Sequence, residues 1–243
     1  MLESLKQSSA SLAEQVAEQI SEYIIENQLV EGDKLPSESA LAEAMGIGRS
    51  TLREAIKLLA SRNIVEIRRG IGTYVANRPG VVNDPFGFRF MHDKKKLAMD
   101  ILDMRYIIEP PIAAMAARYA LASDVERLSE LNALTDAAIR SGEDHSAQDI
   151  AFHSYIAKCS RNEIVSNLIP ILDEGIHLFI DFSKSDLLDE TTITHRAILD
   201  AIAAGNEDEA LETMRAHLDI NKRYLEKCIL KDYQAPKSVI DKK

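Results

Sequence analysis

The chain has 243 residues, with 29 Lys and Arg against 39 Asp and Glu, a net charge of −10. This length is enough for two domains, and no 18-residue apolar run or N-terminal signal pattern occurs, so we expect a cytoplasmic protein with no membrane partner. The overall acidity alone would argue against nucleic acid as a partner. Between Ile47 and Gly80, however, seven basic side chains face two acidic ones, a local net charge of +5. This asymmetry favours one DNA-binding module in an otherwise acidic chain.

The basic region begins with the spacing of a helix-turn-helix. One short apolar stripe ends at Met45, and Gly46 and Gly48 follow it as helix breakers. A second stripe of helical period begins at Leu52. The start of the second helix is where a recognition helix meets base edges and phosphates. The predicted DNA-binding residues of this helix are Arg49, Ser50, Thr51, Arg53 and Lys57.

A basic hairpin is predicted next. Residues 64–68 and 73–75 read as two short strands, and Arg69-Gly70-Ile71-Gly72 joins them. This order of elements predicts a winged helix-turn-helix, and double-stranded DNA is its expected partner. Lys57, Arg68 and Arg69 are predicted to contact phosphates. A solvent-exposed helical pair with ordinary surface arginines is the alternative.

Three motifs carry a family resemblance, and they occur in the order Leu35-Pro36-Ser37-Glu38, Arg49-Ser50-Thr51-Leu52-Arg53-Glu54-Ala55 and Arg69-Gly70-x-Gly72-Thr73. With them, residues 11–77 resemble the N-terminal domain of GntR-type bacterial transcription regulators. The resemblance implies that Arg49 and Arg53 contact DNA and that Gly70 and Gly72 let the wing backbone approach the groove. Ser39 stands where this family often has Arg, so one expected DNA contact is missing.

The remainder of the chain is predicted to be helical. Pro, Gly, Asn and Asp cluster in residues 78–96, which we interpret as a linker whose Phe86, Phe88, Phe90 and Met91 pack in part on a domain. Amphipathic helices are predicted at 97–120, 124–140, 147–158, 162–182, 187–204 and 207–230. Their short connections indicate an antiparallel all-α bundle of about six helices. Pro110-Pro111 predict a kink in the first helix or the start of a second helical piece.

The bundle contains one acidic and three histidine side chains on predicted inward faces. Asp149 and His153 are four residues apart, on one helical face. His195 precedes Gly205 by ten residues and His217 follows it by twelve, so an antiparallel hairpin sets the two level. Imidazoles with a carboxylate suit a divalent metal ion, zinc or nickel. The alternative is that each histidine is a separately satisfied core residue.

The other histidines are treated differently. His92 and His145 are expected to be exposed, because one lies in the linker and the other among polar residues. His177 follows Asp173 by one turn and stays undecided between a role beside the ligand and core packing.

A second resemblance covers residues 97–230, on Asp149-x-x-x-His153, Thr194-His195-Arg196-Ala197-Ile198 and Ala216-His217-Leu218. These motifs resemble the FCD effector-binding domain of the FadR-type branch of the GntR family. The resemblance implies that Asp149, His153, His195 and His217 bind one divalent cation with positions left for a small carboxylate effector. It also places Arg105 near that effector, where a guanidinium fork gives a carboxylate a second attachment. A surface ion pair of Arg105 with Glu109 is the alternative.

Together, these expectations describe a ligand-responsive, sequence-specific transcription regulator. We expect a DNA-binding domain at 8–77, a linker at 78–96, an effector domain at 97–231 and a tail at 232–243. Repression is expected by analogy, and symmetry favours a homodimer on a palindromic operator, with a small organic or sugar acid as effector. The alternatives are a purely structural metal and a metal-dependent enzyme. The chain shows no His-Glu-x-x-His motif, phosphate loop or nucleophile elbow, which argues against an enzyme.

Overall fold

The computed structural model describes residues 10–82, 84–173 and 188–234. The chain divides into two compact units between Pro85 and Phe86. The predicted fold class is confirmed, since the first unit is a winged helix-turn-helix and the second is helical.

The first unit places three helices before a two-stranded wing. They are α1 (Leu12–Glu26), α2 (Glu38–Ala44) and α3 (Arg49–Ser61), followed by β1 (Val65–Arg68) and β2 (Gly72–Val75). A capping box fixes the start of α1, because Ser11 and Glu14 each accept a hydrogen bond from the backbone of the other. Ser37 caps α2 through its side chain alone, which accepts a hydrogen bond from the backbone N–H of Ala40. Both α1 and α2 contact α3, whose Leu52 and Leu59 are fully buried.

The wing is an antiparallel hairpin with Val65 paired to Val75 and Arg68 paired to Gly72. Its tip needs glycine, because Gly70 and Gly72 have φ values of +74° and +141°, which side-chain-bearing residues rarely adopt. An isolated bridge between Lys34 and Tyr74 ties the chain before α2 to β2. The hairpin is therefore anchored to the helical part of the same unit.

The second unit contains six helices among its described residues. They are α4 (Lys94–Tyr119), α5 (Ala122–Ser141), α6 (Ser146–Cys159), α7 (Glu163–Leu172), α8 (Leu188–Ala203) and α9 (Glu207–Gln234). Helix α4 contacts α6, α8 and α9, and α8 also contacts α9 and α5. The common core includes Phe152, Ile156, Ile198 and Met214. The predicted helix at 162–182 matches α7 as far as Leu172, and most of the rest lies outside the described residues.

Helix α4 runs without interruption through Pro110 and Pro111, so no second helical piece starts there. The prolines lack the N–H groups that would bond to the carbonyls of Tyr106 and Ile107. The turn that follows is nevertheless held by burial of Ile112 and Ala113 in the core. Tertiary packing thus outweighs the local preference for a break.

Only part of the predicted linker lies on the surface. Phe88 is buried against Leu97 and Ile101, within a short 3-10 turn at Phe88–Phe90. Phe86 and Phe90 are exposed, as is Met91.

Among the described helices none is long and apolar enough to cross a membrane.

Candidate DNA interface and metal centre

The predicted DNA-reading residues lie at the exposed start of α3. Arg49 and Ser50 occupy its first two positions and are exposed, whereas Thr51 is half-buried. Arg53 is exposed and pairs with Glu38 of α2, its Nε lying 2.9 Å from the carboxylate. Lys57, one turn further, lies 3.7 Å from Glu54. The first two turns of α3 thus present one arginine at the helix start and one that is paired with α2.

The wing carries two arginines in different settings. Arg68 lies 2.9 Å from the carboxylate of Glu66 and 4.3 Å from the centre of the Tyr74 ring, so it lies flat on the hairpin. Arg69 and Gly70 are exposed at the tip. Of the two, Arg69 has the position from which a side chain reaches into a groove or to a phosphate.

Three helices bring the four predicted metal-site residues together. Asp149 and His153 come from α6, His195 from α8 and His217 from α9, and all four are buried. The three histidines each offer a ring nitrogen within 4.8 Å of the others. Asp149 Oδ1 lies 3.2 Å from His195 Nε2. The arrangement offers one carboxylate oxygen and three imidazoles within a small volume.

Several nitrogens of this cluster have no hydrogen-bond partner among the described residues. His153 Nδ1 bonds to Glu109 Oε2 at 2.8 Å, which leaves Nε2 unpartnered. Neither nitrogen of His195 has a hydrogen bond, since its contact with Asp149 is close but poorly aligned. Phe152 stacks on the His195 ring at 4.4 Å and fixes its plane. Buried polar atoms without partners cost about 1–3 kcal/mol each, so these nitrogens fit a site that a cation completes.

His217 is oriented through its other nitrogen. Thr194 Oγ1 donates its single hydrogen to the Glu190 carbonyl at 2.7 Å, so at 2.8 Å it can only accept from His217 Nδ1. The lone pair of His217 is therefore on Nε2. The amide nitrogen of Asn221 lies 3.1 Å from His217 Nε2 and is its hydrogen-bond donor in this structure.

The protonation states of Asp149, His195 and His217 favour a cation. Burial alone would raise the pKa of Asp149, but His195, His153 and Arg105 hold that pKa far below its usual range, so the carboxylate is charged. Burial, together with the neighbouring His195 and His153, holds the pKa of His217 well below its ordinary value. Burial also lowers the pKa of His195. Burial would lower the pKa of His153 as well, but Glu109 raises it above its ordinary value. Asp149, His195 and His217 therefore have the protonation states that metal ions require, whereas a metal at His153 would displace the proton that Glu109 favours.

Arg105 forms an ion pair with Glu109, as the alternative interpretation had it, but the pair is buried and not on the surface. Both side chains are 2–3% exposed, and Nε and Nη2 of Arg105 donate to the two Glu109 oxygens, the second at 3.3 Å. Burial would lower the pKa of Arg105, and Glu109 raises it above its ordinary value. Arg105 is therefore a permanent buried cation next to the histidines.

Glu109, Thr194, Asn221 and Asp173 belong to this cluster's surroundings but were not predicted as site residues. Asn221 could have been found from its i+4 spacing to His217, whereas Glu109 and Thr194 needed the helix packing. Asp173 accepts a hydrogen bond from Ser154 at 2.7 Å, and burial raises its pKa to about 7.

The remaining histidines complete the comparison with the sequence. His92 is exposed, as expected. The expectation for His145 was wrong, since it is only 7% exposed. It occupies the N-cap position of α6, where its side chain makes no capping hydrogen bond and its carbonyl accepts from Asp149 N. His177 lies outside the described residues.

Comparison with known proteins identifies both units. The family "Bacterial regulatory proteins, gntR family" matches residues 12–75, and the FCD domain matches residues 100–220. HTH-type transcriptional regulator LutR of Bacillus subtilis (strain 168) is 30% identical over 200 residues, covering 79% of this chain and 90% of that protein. An Escherichia coli (strain K12) protein, whose name connects it with regulation of the L-lactate dehydrogenase operon, is 31% identical over 218 residues, 85% of this chain and 83% of its own length.

Among solved structures, Streptococcus agalactiae GntR is 35% identical with a TM-score of 0.76, over 87% of this chain and 99% of that one. These relatives are transcription regulators and not enzymes. The chain therefore belongs to the GntR family of bacterial transcription regulators, with a winged helix-turn-helix DNA-binding domain and an FCD effector-binding domain.

Proposed function

We propose that this regulator binds one divalent metal ion through Asp149, His153, His195 and His217, and that the metal helps to bind a small carboxylate effector. The observation that carries the proposal is the buried cluster of three imidazoles within 4.8 Å, with nitrogens that have no partner among the described residues. FCD domains often bind metal. Nitrogen ligands with one carboxylate suit zinc or nickel. When bound, such a metal supplies a Lewis-acidic attachment for an acid.

Arg105 is the second attachment point that we propose for the effector. Its buried guanidinium lies on α4, and its Nη2 contact with Glu109 is long, at 3.3 Å, so this nitrogen is the donor most easily given to another carboxylate. The name of the Escherichia coli relative refers to the L-lactate dehydrogenase operon. L-lactate is therefore the first acid to test, and sugar acids are the second class.

For operator binding we propose a homodimer on a palindromic site, because a single winged helix makes few contacts and two-fold symmetry doubles them. Arg49, Ser50, Thr51 and Arg53 would read the major groove. Lys57, Arg68 and Arg69 would hold phosphates, and Gly70 and Gly72 would let the wing approach closely. Residues 8–77 form the proposed DNA-binding domain, 78–96 the linker, 97–231 the effector domain and 232–243 a tail. The effector would release the operator, so that the protein acts as a repressor.

The test measures metal content and operator affinity together. Metal bound to the purified protein is quantified by mass spectrometry, and gel shifts use the DNA upstream of the protein's own gene, with added Zn²⁺, chelator, L-lactate and sugar acids. His195→Ala should lose the metal and the response to acid while still binding DNA. Arg49→Ala should lose specific DNA binding while keeping the metal.

Matched controls are the exposed His92→Ala and Arg140→Ala, which should behave as the unmodified protein does. Stoichiometric metal in His195→Ala would place the metal elsewhere in the chain. Metal that stabilises the protein while no acid changes operator affinity would instead support the purely structural metal.

A further inference from the structure

Glu109 lies between the residue proposed to bind the effector and one of the residues proposed to bind the metal. Its two oxygens accept from Nε and Nη2 of Arg105, and Oε2 also accepts from His153 Nδ1 at 2.8 Å. Arg105, Glu109 and His153 are each about 2% exposed. One buried carboxylate thus serves two groups that the proposed function assigns to different ligands.

The contact with His153 fixes which nitrogen of that ring can bind a metal. A carboxylate only accepts hydrogen bonds, so the neutral His153 ring must carry its hydrogen on Nδ1 and its lone pair on Nε2. His153 Nε2 is the nitrogen that has no partner among the described residues. A carboxylate behind a histidine also makes its free nitrogen a stronger donor to a metal.

The contact with Arg105 divides the negative charge of Glu109. While the guanidinium holds both oxygens, less of that charge acts on the His153 ring. A ligand that draws Arg105 away would leave Glu109 to His153 alone, and the Nε2 lone pair would then bind a cation more strongly.

We propose that Glu109 is a positioning residue that couples Arg105 to the metal site, so that a carboxylate bound to Arg105 strengthens metal binding at His153. This inference rests on the proposed function, and it adds the residue through which the two ligands affect each other. The link is reciprocal, so that metal at His153 also favours the acid at Arg105.

A double-mutant cycle with Zn²⁺ alone tests the coupling without knowledge of the effector. Zn²⁺ affinity is measured by competition with a chromophoric chelator at pH 8.5, well above the ordinary pKa of imidazole, for the unmodified chain, Glu109→Gln, Arg105→Gln and the double variant. Glu109→Gln should weaken Zn²⁺ binding by about 10–100-fold. Arg105→Gln should tighten it, because Glu109 then acts on His153 alone.

The cycle separates coupling from simple charge repulsion between Arg105 and the metal. If Arg105 only repels the metal, Arg105→Gln should tighten Zn²⁺ binding by the same factor whether residue 109 is Glu or Gln. If Arg105 acts through Glu109, Arg105→Gln should tighten Zn²⁺ binding more when Glu109 is present. We expect the effect of Arg105→Gln to be at least about twofold larger in the Glu109 background, the lower end for residues in contact. Equal effects in both backgrounds, or unchanged Zn²⁺ affinity in Glu109→Gln, would overturn the proposal.

Controls keep these outcomes distinct from misfolding and from failure of the proposed function. Asp124→Asn removes another buried carboxylate, the partner of Arg161, and should leave Zn²⁺ affinity unchanged. Glu109→Asp, whose shorter side chain cannot bridge both partners, replaces Glu109→Gln if that variant does not fold, and is expected to lose the same coupling. A wild-type chain that binds no Zn²⁺ would overturn both proposals, whereas Zn²⁺ binding with an additive cycle would overturn this one alone.

Discussion

Single residues outside the candidate metal site set the orientation of its histidines. Thr194 accepts from His217 Nδ1 because its own hydrogen is given to the Glu190 carbonyl. Thr194→Val keeps the shape of the side chain but removes this acceptor. The ring then loses its fixed tautomer, and we expect Zn²⁺ affinity to fall by about tenfold.

Chelator competition checks this expectation, and Thr213→Val is the matched control. Thr213 is also half-buried in a helix, and its hydroxyl likewise bonds to a carbonyl one turn earlier, that of Glu209, at 2.8 Å. It has no histidine partner among its described hydrogen bonds. Equal Zn²⁺ affinities for the two valine variants would show that Thr194 does not orient His217.

Asp173 makes stability depend on pH in a direction opposite to most carboxylates. Burial raises its folded-state pKa to about 7, above the ordinary value near 4. Between these two values the folded protein binds a proton that the unfolded chain has lost, so stability falls as the pH rises through this window. Above pH 7 the full cost is present, at most about 4 kcal/mol.

Asp173→Asn should therefore raise the Tm, and by more at pH 8 than at pH 5, since the amide cannot ionise and its oxygen still accepts from Ser154. Circular dichroism melts at the two pH values measure this. Asp124→Asn is a control of opposite sign: burial raises the pKa of Asp124, but hydrogen bonds from Leu121, Tyr155 and Arg161 lower it below the usual range. An equal Tm change for Asp173→Asn at both pH values would contradict the raised pKa.

At the scale of helices, helical periodicity and short connections were enough to predict which side chains share a face or lie level with each other. The helical period places Asp149 and His153 on one face, and the turn at Gly205 sets His195 level with His217, whose ring centres lie 4.9 Å apart. The structure brings these four side chains together as expected. Whether they hold a metal stays a prediction.

Contacts between distant helices could not be predicted in this way. Glu109 reaches His153 across 44 positions of sequence, through the packing of α4 on α6. His145 was expected to be exposed because its neighbours are polar, yet it is buried at the start of α6. No pattern within a single helix predicts the contact of Glu109 with His153 or the burial of His145.

Helix α4 shows how packing overrides a local signal. A proline inside a helix costs about 3 kcal/mol, and two in succession favour a break. Each buried methylene returns about 0.8 kcal/mol, and Ile112, Ala113, Ala116 and Ala117 all lie in the core. Burial after the prolines can therefore sustain the helix beyond them.

For the whole molecule, the distribution of charge determines which part of the chain attracts DNA. The net charge is −10 overall and +5 within residues 47–80, which leaves −15 for the rest of the chain. The acidic remainder is repelled by phosphates, so attraction to DNA must come from the basic segment alone. Operator binding should then weaken as salt rises, with a slope set by the number of phosphates that arginine and lysine side chains contact.

Arg69, exposed at the wing tip, allows those contacts to be counted. Each phosphate contact contributes about 0.9 to the slope of log affinity against log salt, so Arg69→Gln should reduce the slope by about 1.8 if two wings of a dimer bind one operator, and by about 0.9 if only one does. Fluorescence anisotropy across a salt series measures the slope. Arg196→Gln, an exposed arginine of α8 paired with Asp200, should leave it unchanged. An unchanged slope in Arg69→Gln would mean that the wing tip holds no phosphate.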